Sequence, residues 1–469
     1  MLRKYNFFMK NFMSKKNTVT VFVSNMTEDV WDFVQSFNDY KMKAQEVQEN
    51  ARLSDQHLHG VCDERELIFI SPYNLEQEFI DYVQELYSFN RLITLSPQKH
   101  SGEICVDLIK DDKTYEYLLN ELKQYKNVVL KSYSSSRQFY RLKKKLILDG
   151  IMVSTPEAPD ESSAWTVDFY GSKSGIRQLA QMTMTEEPDF RVADGLVCMG
   201  ISEASQIAAH RYIKQHGVVL KTNKGHSGAG VLIFKEGDLP NNFEECQQKL
   251  YSILKQDLYW KNFPIIVEDM VNVNQKVSGG FPNTEYIIKG NGEIELLYFG
   301  GIIVTKAGVF QGMEIGEDVV SERTMVGIID FGYFIGEQYS KSGYRGYYDV
   351  DMIAAKNGKV FVSESNTRRT GATHAFKALT KLINKDFMDD YYAITHNAHP
   401  LKPNVAPMSF AQVLALTDDL LLKKGKKKGV VITSANILHQ QAVGYVVCAE
   451  EKKEALAIRD ELVKRLKLA

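Results

Sequence analysis

Cysteine pairing is missing from this sequence. Its five cysteines, Cys62, Cys105, Cys198, Cys246 and Cys448, are scattered and form no CxxC. An odd, dispersed set excludes a disulfide framework and a cysteine zinc site, and it fits a reducing compartment, so a cytoplasmic location is expected. Charge of one sign is also missing: 57 Lys and Arg against 59 Asp and Glu leave a net −2. No bulk attraction to nucleic acid or to a membrane follows from that balance. No apolar run approaches the roughly 18 residues of a spanning helix. Proline is sparse, and two of the 11 fall within VSTPEAPDESSA (153–164), which reads as a domain boundary. No G-x-G-x-x-G follows the first strand-like segment, and no Gly-Lys-Ser/Thr closes a glycine-rich loop. A dinucleotide fingerprint and a Walker A loop are therefore excluded.

What is present suffices for a large core, with 44% hydrophobic residues in a chain of 469. The first residues, MLRKYNFFMKNFMSKKN, are basic and aromatic. Their apolar stretch is too short for a signal peptide, so a tail, or a natural start at Met13, is expected. VTVFVS (19–24), ELIFIS (66–71), LITLS (92–96) and NVVLKSY (127–133) read as strands, with helical segments such as LEQEFIDYVQELYSF between them. That alternation predicts a parallel α/β layer. Beyond the boundary the rhythm changes. EASQIAAHRYIKQHG reads as a helix stopped by Gly217, and hairpins turn at Gly290-Asn291-Gly292 and Asn357-Gly358. A separate α+β domain is expected, followed by two strand-like segments and an amphipathic helix over 450–468. KKGKKKG (423–429) reads as a solvated turn, with a polyanion site as the alternative.

One stretch carries chemistry. KVFVSESNTRRTGATH (359–374) begins apolar and ends in a carboxylate, an amide and two guanidiniums. Strand alternation predicts that Val360, Val362, Glu364 and Asn366 share a face, the first two in a core and the last two at its rim. Asp351 lies one hairpin earlier. Asp351, Glu364 and Asn366 are hard oxygen donors suited to Mg²⁺, with Mn²⁺ as a substitute, beside phosphates. Arg368 supplies a fixed cation for charge developing on oxygen. A charged strand end at the surface is the alternative.

A second stretch, VVLKTNKGHSGAGV, places Lys221 at a strand end before Gly225, Ser227, Gly228 and Gly230. Glycines let backbone N–H groups approach phosphate oxygens, and Ser227 adds a hydroxyl. A flexible hairpin explains the same residues. IIVEDMV, with Val267, Glu268 and Met270, is a candidate hinge whose backbone pairs with an adenine edge.

Taken in order, strand-Lys, G-x-S-G-x-G-V, VED and D-x12-E-x-N-x-R resemble the ATP-grasp superfamily. The resemblance implies a fold of α/β and α+β class: a Rossmann-like pre-ATP-grasp domain over 17–156 after a tail over 1–16, then an ATP-grasp domain over 157–400. Its lid would span about 200–270, and the strands and helix of 401–469 would pack on it. The resemblance also adds Lys173, at the start of a helix, as a second phosphate-binding lysine. ESNTRRTGATHAF is similar to the E-x-N-x-R-x-G-G-T-T-H-P tract of pheganomycin-type peptide ligases and the butirosin-pathway carrier-protein glutamate ligase. Thr370, Ala372 and Ala375 depart from that tract. In the tract Arg369, Gly371, Thr373 and His374 would meet the substrate. The implied activity is ATP-dependent, peptide-bond-forming carboxylate–amine ligation through an acylphosphate, releasing ADP and phosphate. Loading of an amino acid onto an acyl carrier protein and small-molecule phosphorylation are the alternatives. The implied partners are a small carboxylate and an amine or a carrier protein, with no nucleic acid or membrane; a homodimer is compatible.

Overall fold

A computed structural model describes residues 16–226, 229–305, 308–316, 319–383 and 387–469. The basic tail, Ser227 and Gly228 lie outside the described residues.

The first layer is the expected parallel sheet. Its strands are β1 (Lys16–Val23), β2 (Glu66–Ile70), β3 (Arg91–Leu95), β4 (Tyr125–Ser132) and β5 (Val153–Ser154), in the order β3-β2-β1-β4-β5. Both faces are covered, as a parallel sheet requires. Val19, Val21 and Val23 pack with the helices over 104–148, while Phe22, Leu67 and Phe69 face the helix Gln77–Tyr87 and the rest of the molecule.

A four-stranded antiparallel sheet follows. Its strands β6 (Gly195–Cys198), β7 (Gly217–His226), β8 (Ala229–Lys235) and β9 (Ile265–Asp269) lie in the order β6-β9-β7-β8. The helices Ile201–Gln215 and Phe243–Leu254 bury Ala204, Ala208, Tyr212 and Leu250 against it. Gly217 does not stop the first of these helices. His216 takes the left-handed conformation (φ 57°), and Gly217 opens β7, where an added Cβ would lie 2.7 Å from Met270 Cε.

The third sheet is antiparallel and has eight strands. They are β10 (Pro282–Ile288), β11 (Ile294–Val304), β12 (Phe310–Ile315), β13 (Gly346–Ala354), β14 (Val360–Asn366), β15 (Tyr392–Pro400), β16 (Gly429–Ile432) and β17 (Ala442–Ala449). Their order is β14-β13-β10-β11-β12-β15-β17-β16, so the C-terminal strands extend one sheet. The helix Lys452–Leu466 covers that end through Ala455, Leu462 and Leu466. The turn at 423–428 is exposed, with Lys427 on Glu450 at 3.0 Å, and Gly429 is buried at the start of β16.

The helix Glu322–Lys341 backs the middle of this sheet. Tyr286 and Tyr348 stack at 5.0 Å and donate to the carbonyls of Ile329 (3.1 Å) and Gly332 (3.0 Å). Gly332 and Gly336 make room for them, because a Cβ there would lie 2.1 and 2.0 Å from the two hydroxyls. With even-numbered side chains of β10 and β13 committed to this helix, the odd-numbered ones face the other way.

Candidate active site

That other face carries two rows of polar side chains. Asn283 pairs with Asp351, and Asp351 with Glu364; one step along, Glu285 pairs with Asp349, and Asp349 with Asn366. Asn283 Nδ2 donates to Asp351 Oδ1 at 2.6 Å and to Asp349 Oδ2 at 3.2 Å. Asn366 Nδ2 donates to Asp349 Oδ1 at 2.9 Å and to Asp351 Oδ2 at 3.3 Å. Burial and the crowding of carboxylates push Asp351 well above the usual range; burial and Glu285 do the same to Asp349. Glu364 goes the other way: burial opposes its charge, but Lys173, Lys221 and Arg368 hold it below the usual range.

The shared face expected for Val360, Val362, Glu364 and Asn366 is corrected by a β-bulge. Met352 pairs with Val362 and Asp351 with Glu364, which leaves Ser363 unpaired. Val362 therefore packs with Val350 and Met352 in the core, and Glu364 and Asn366 emerge on the opposite face. Without the extra residue the carboxylate would point into apolar packing.

Three cations from distant parts of the chain meet these rows. Lys173 opens the helix Lys173–Met182, N-capped by Ser172, and pairs with Glu364. Lys221 of β7 contacts Glu268 at 2.8 Å and the bulged Ser363 Oγ at 3.1 Å. Arg368 Nη2 donates to Asn366 Oδ1 at 3.0 Å, while its Nε reaches Asp29 at 2.9 Å and its Nη1 reaches the Tyr133 hydroxyl at 2.9 Å. Asp29, Lys173, Lys224, Gly225, Glu364 and Arg368 line one cleft.

Other expected residues are placed differently. β9 lies between β6 and β7, so both backbone edges of Val267 and Glu268 are occupied, and neither offers a free hinge edge. The Glu268 carboxylate instead joins Lys221 to Arg177, the latter at 2.6 Å. Met270 packs against Gly217. Gly230 has φ +82°, and an added Cβ would lie 2.1 Å from Thr222 Cγ2, so the hairpin itself demands glycine there.

Arg369 is no open substrate contact. It is 3% exposed, stacks on Tyr347 at 4.0 Å, and donates to Glu157 at 2.6 Å and to the Gly60 carbonyl at 3.2 Å. Thr373 and Thr370 give their hydroxyls to Glu285, at 2.5 and 2.6 Å. The Gly371 carbonyl accepts from Asn397 at 2.9 Å. His374 is buried, and burial lowers it to about 4.

Asn283, Glu285, Asp349, Asp29, Tyr133 and Arg177 are additions from the structure. The D-V-D alternation at 349–351 was the signal for Asp349. Nothing in the sequence brings Asp29 to Arg368.

Among the described residues no three His, Cys, Asp or Glu side chains form a closed metal cage. The donor set nevertheless fits Mg²⁺ bound jointly with phosphate, which takes one or two carboxylates from the protein. Asp351 and Glu364 face each other across the strand pair, and the buried Asn283 Oδ1 has no hydrogen-bond partner.

No protein-family model and no curated protein matches the sequence. Solved structures do. The chain is similar to the biotin carboxylase of Campylobacter jejuni in a β,γ-ATP complex (TM-score 0.54, 13% identity, covering 96% of this chain and 91% of that one). It is similar to the biotin carboxylase domain of Hydrogenobacter thermophilus 2-oxoglutarate carboxylase with MgADP and bicarbonate (0.55, 11%, 96% and 90%). An ADP complex of N5-carboxyaminoimidazole ribonucleotide synthetase gives 0.52, 11%, 96% and 98%. These likenesses define the fold: an ATP-grasp fold preceded by a parallel α/β layer.

Proposed function

We propose that the protein is an ATP-dependent carboxylate–amine ligase. The observation that carries this reading is the convergence of Lys173, Lys221 and Arg368, from three separate segments, on the Asp351–Glu364–Asn366 end of one sheet. The similar folds bind ATP or ADP, as their descriptions state, which supports the same class of ligand here. In this reading a substrate carboxylate oxygen attacks the γ-phosphorus of ATP, ADP leaves, and an acylphosphate forms. The amine then attacks the acyl carbon, phosphate leaves, the amine loses a proton, and an amide results. Mg²⁺ would be held by Asp351 and Glu364, and would supply charge neutralisation on the phosphates. Lys173 and Lys221 bind phosphate oxygens, and Arg368 stabilises negative charge on the acyl oxygen. Catalysis of this kind is mostly positioning, which suits side chains set on a rigid sheet.

The adenine edge is assigned to the backbone beyond Asp269, where the ladder ends. A peptide bond is the finer assignment, supported by the ESNTRRTGATH tract. The test is release of ADP and inorganic phosphate across pools of amino acids, short peptides and a carrier protein. Equimolar ADP, phosphate and amide are expected. Phosphate retained on a hydroxyl product, or nucleotide binding with no turnover in any pool, would sink the reading.

A further inference from the structure

We propose that Asp29 is a positioning residue for Arg368, through which the N-terminal layer sets the geometry of the transfer site. Only its kinetic consequence rests on the ligase reading above. Asp29 closes the short helix Met26–Asp29 that follows β1, and Tyr133 follows β4. These strands are neighbours at the point where the strand order reverses: the chain runs out to β2 and β3, then returns to β4 on the other side of β1. A crevice opens outside the carboxyl ends of such a pair. Arg368 comes from the far sheet and is held at this crevice.

Its guanidinium is fixed from several directions. Nε donates to Asp29 Oδ2 at 2.9 Å, Nη1 to the Tyr133 hydroxyl at 2.9 Å and to the Arg369 carbonyl at 3.0 Å, and Nη2 to Asn366 Oδ1 at 3.0 Å. Of five N–H donors, one on Nη2 keeps no protein partner among the described residues. Asp29 is itself oriented, because Ser134 Oγ donates to its Oδ1 at 2.8 Å. With Nε and Nη1 committed, the remaining Nη2 hydrogen has a fixed direction. Asp29 lines the same cleft as Lys173 and Glu364.

A simple tether between layers does not need Asp29. Arg369 already ties them through Glu157 at 2.6 Å, the Gly60 carbonyl at 3.2 Å and its own N–H on the Tyr133 carbonyl at 3.1 Å.

Asp29→Asn tests the assignment. The amide keeps the shape but offers one acceptor oxygen to two donors, Arg368 Nε and Ser134 Oγ. The full chain is labelled with ¹⁵N-arginine, and the Arg368 Nε–H signal is identified with Arg368→Lys. Its exchange with water is expected to quicken at least about tenfold in Asp29→Asn, as a hydrogen bond is lost. A kcat loss of about 100-fold is expected, with ATP KM within about twofold, as for a misplaced charge-stabilising group. The thermal midpoint should stay within about 2 °C, since Arg369 still ties the layers. Asp29→Glu should recover part of kcat. Unchanged Nε–H exchange in Asp29→Asn would overturn the proposal. So would kcat, ATP affinity and midpoint falling together. If the parent protein shows no substrate-dependent ADP release, the ligase reading fails, while the exchange measurement still decides the positioning role.

Discussion

At the scale of single residues, the two arginines of the tract separate cleanly. Sequence gave them adjacent numbers and similar chemistry; burial assigns them different work. Arg368→Ala should lower kcat with little change in stability. Arg369→Ala leaves the buried Glu157 carboxylate with Lys131 alone at 2.7 Å, and the lost charge-assisted hydrogen bond should cost about 1.5–3 kcal/mol. Chemical denaturation should show that loss, although the resemblance placed Arg369 against the substrate. Glu364→Ala is expected to lose at least about 100-fold in turnover, on the scale of a lost transition-state contact, while keeping its thermal midpoint. Parent-like ATP turnover in that variant would remove Glu364 from the site. Asp351, Glu364 and Asn366 were legible because one hairpin connects them. Asn283 and Glu285 were not, because the pairing of β10 with β13 spans a helix and two other strands, and no local pattern encodes it.

At the scale of elements, alternation predicted the strands well and failed at one point. A bulge inserts a residue without any mark of its own, so Ser363 looked like part of a regular strand and the face of Val362 was misread. Helix ends show the same limit: a glycine adjacent to a histidine was the natural stop, yet His216 adopted the left-handed turn. The helix Glu322–Lys341 offers a direct check on packing. Gly332→Ala should destabilise the protein by about 1–3 kcal/mol, because the methyl group meets the Tyr286 hydroxyl. Tyr286→Phe in the same chain removes that oxygen but leaves the ring carbons Cζ and Cε2 at 2.6 and 2.8 Å, so it should recover only part of the loss. Urea midpoints of the two single variants and the double variant measure this coupling.

At the scale of the whole molecule, the layered fold was legible from the change of rhythm at 153–164, since strand–helix alternation and hairpins leave different patterns. How the layers meet was not, because the boundary segment looked like a plain linker. It contains Glu157, which joins Lys131 to Arg369. Burial would raise the Glu157 carboxyl, but Lys131 and Arg369 outweigh it and hold it at about 2, against 4.5 ordinarily. Its contribution is therefore complete above pH 4.5 and is lost as pH falls toward 2. Three buried histidines act earlier. Burial keeps His59 at about 3 and His374 at about 4, and His57 is lowered as well. The unfolded chain takes up these protons near pH 6.5 and the folded chain does not, so stability should fall from pH 6.5 toward 4. Thermal midpoints across pH should show both phases, and Glu157→Gln should flatten only the lower one. Asp29 and Arg368, finally, lie 339 positions apart. A ribosome completes the five parallel strands long before it reaches the arginine, so the seat can be built on the nascent chain ahead of its occupant. The eight-stranded sheet must wait for β17, whose pairing covers the edge of β15. The site itself, built on β10, β13 and β14 at the other end of that sheet, can close as soon as Arg368 has followed.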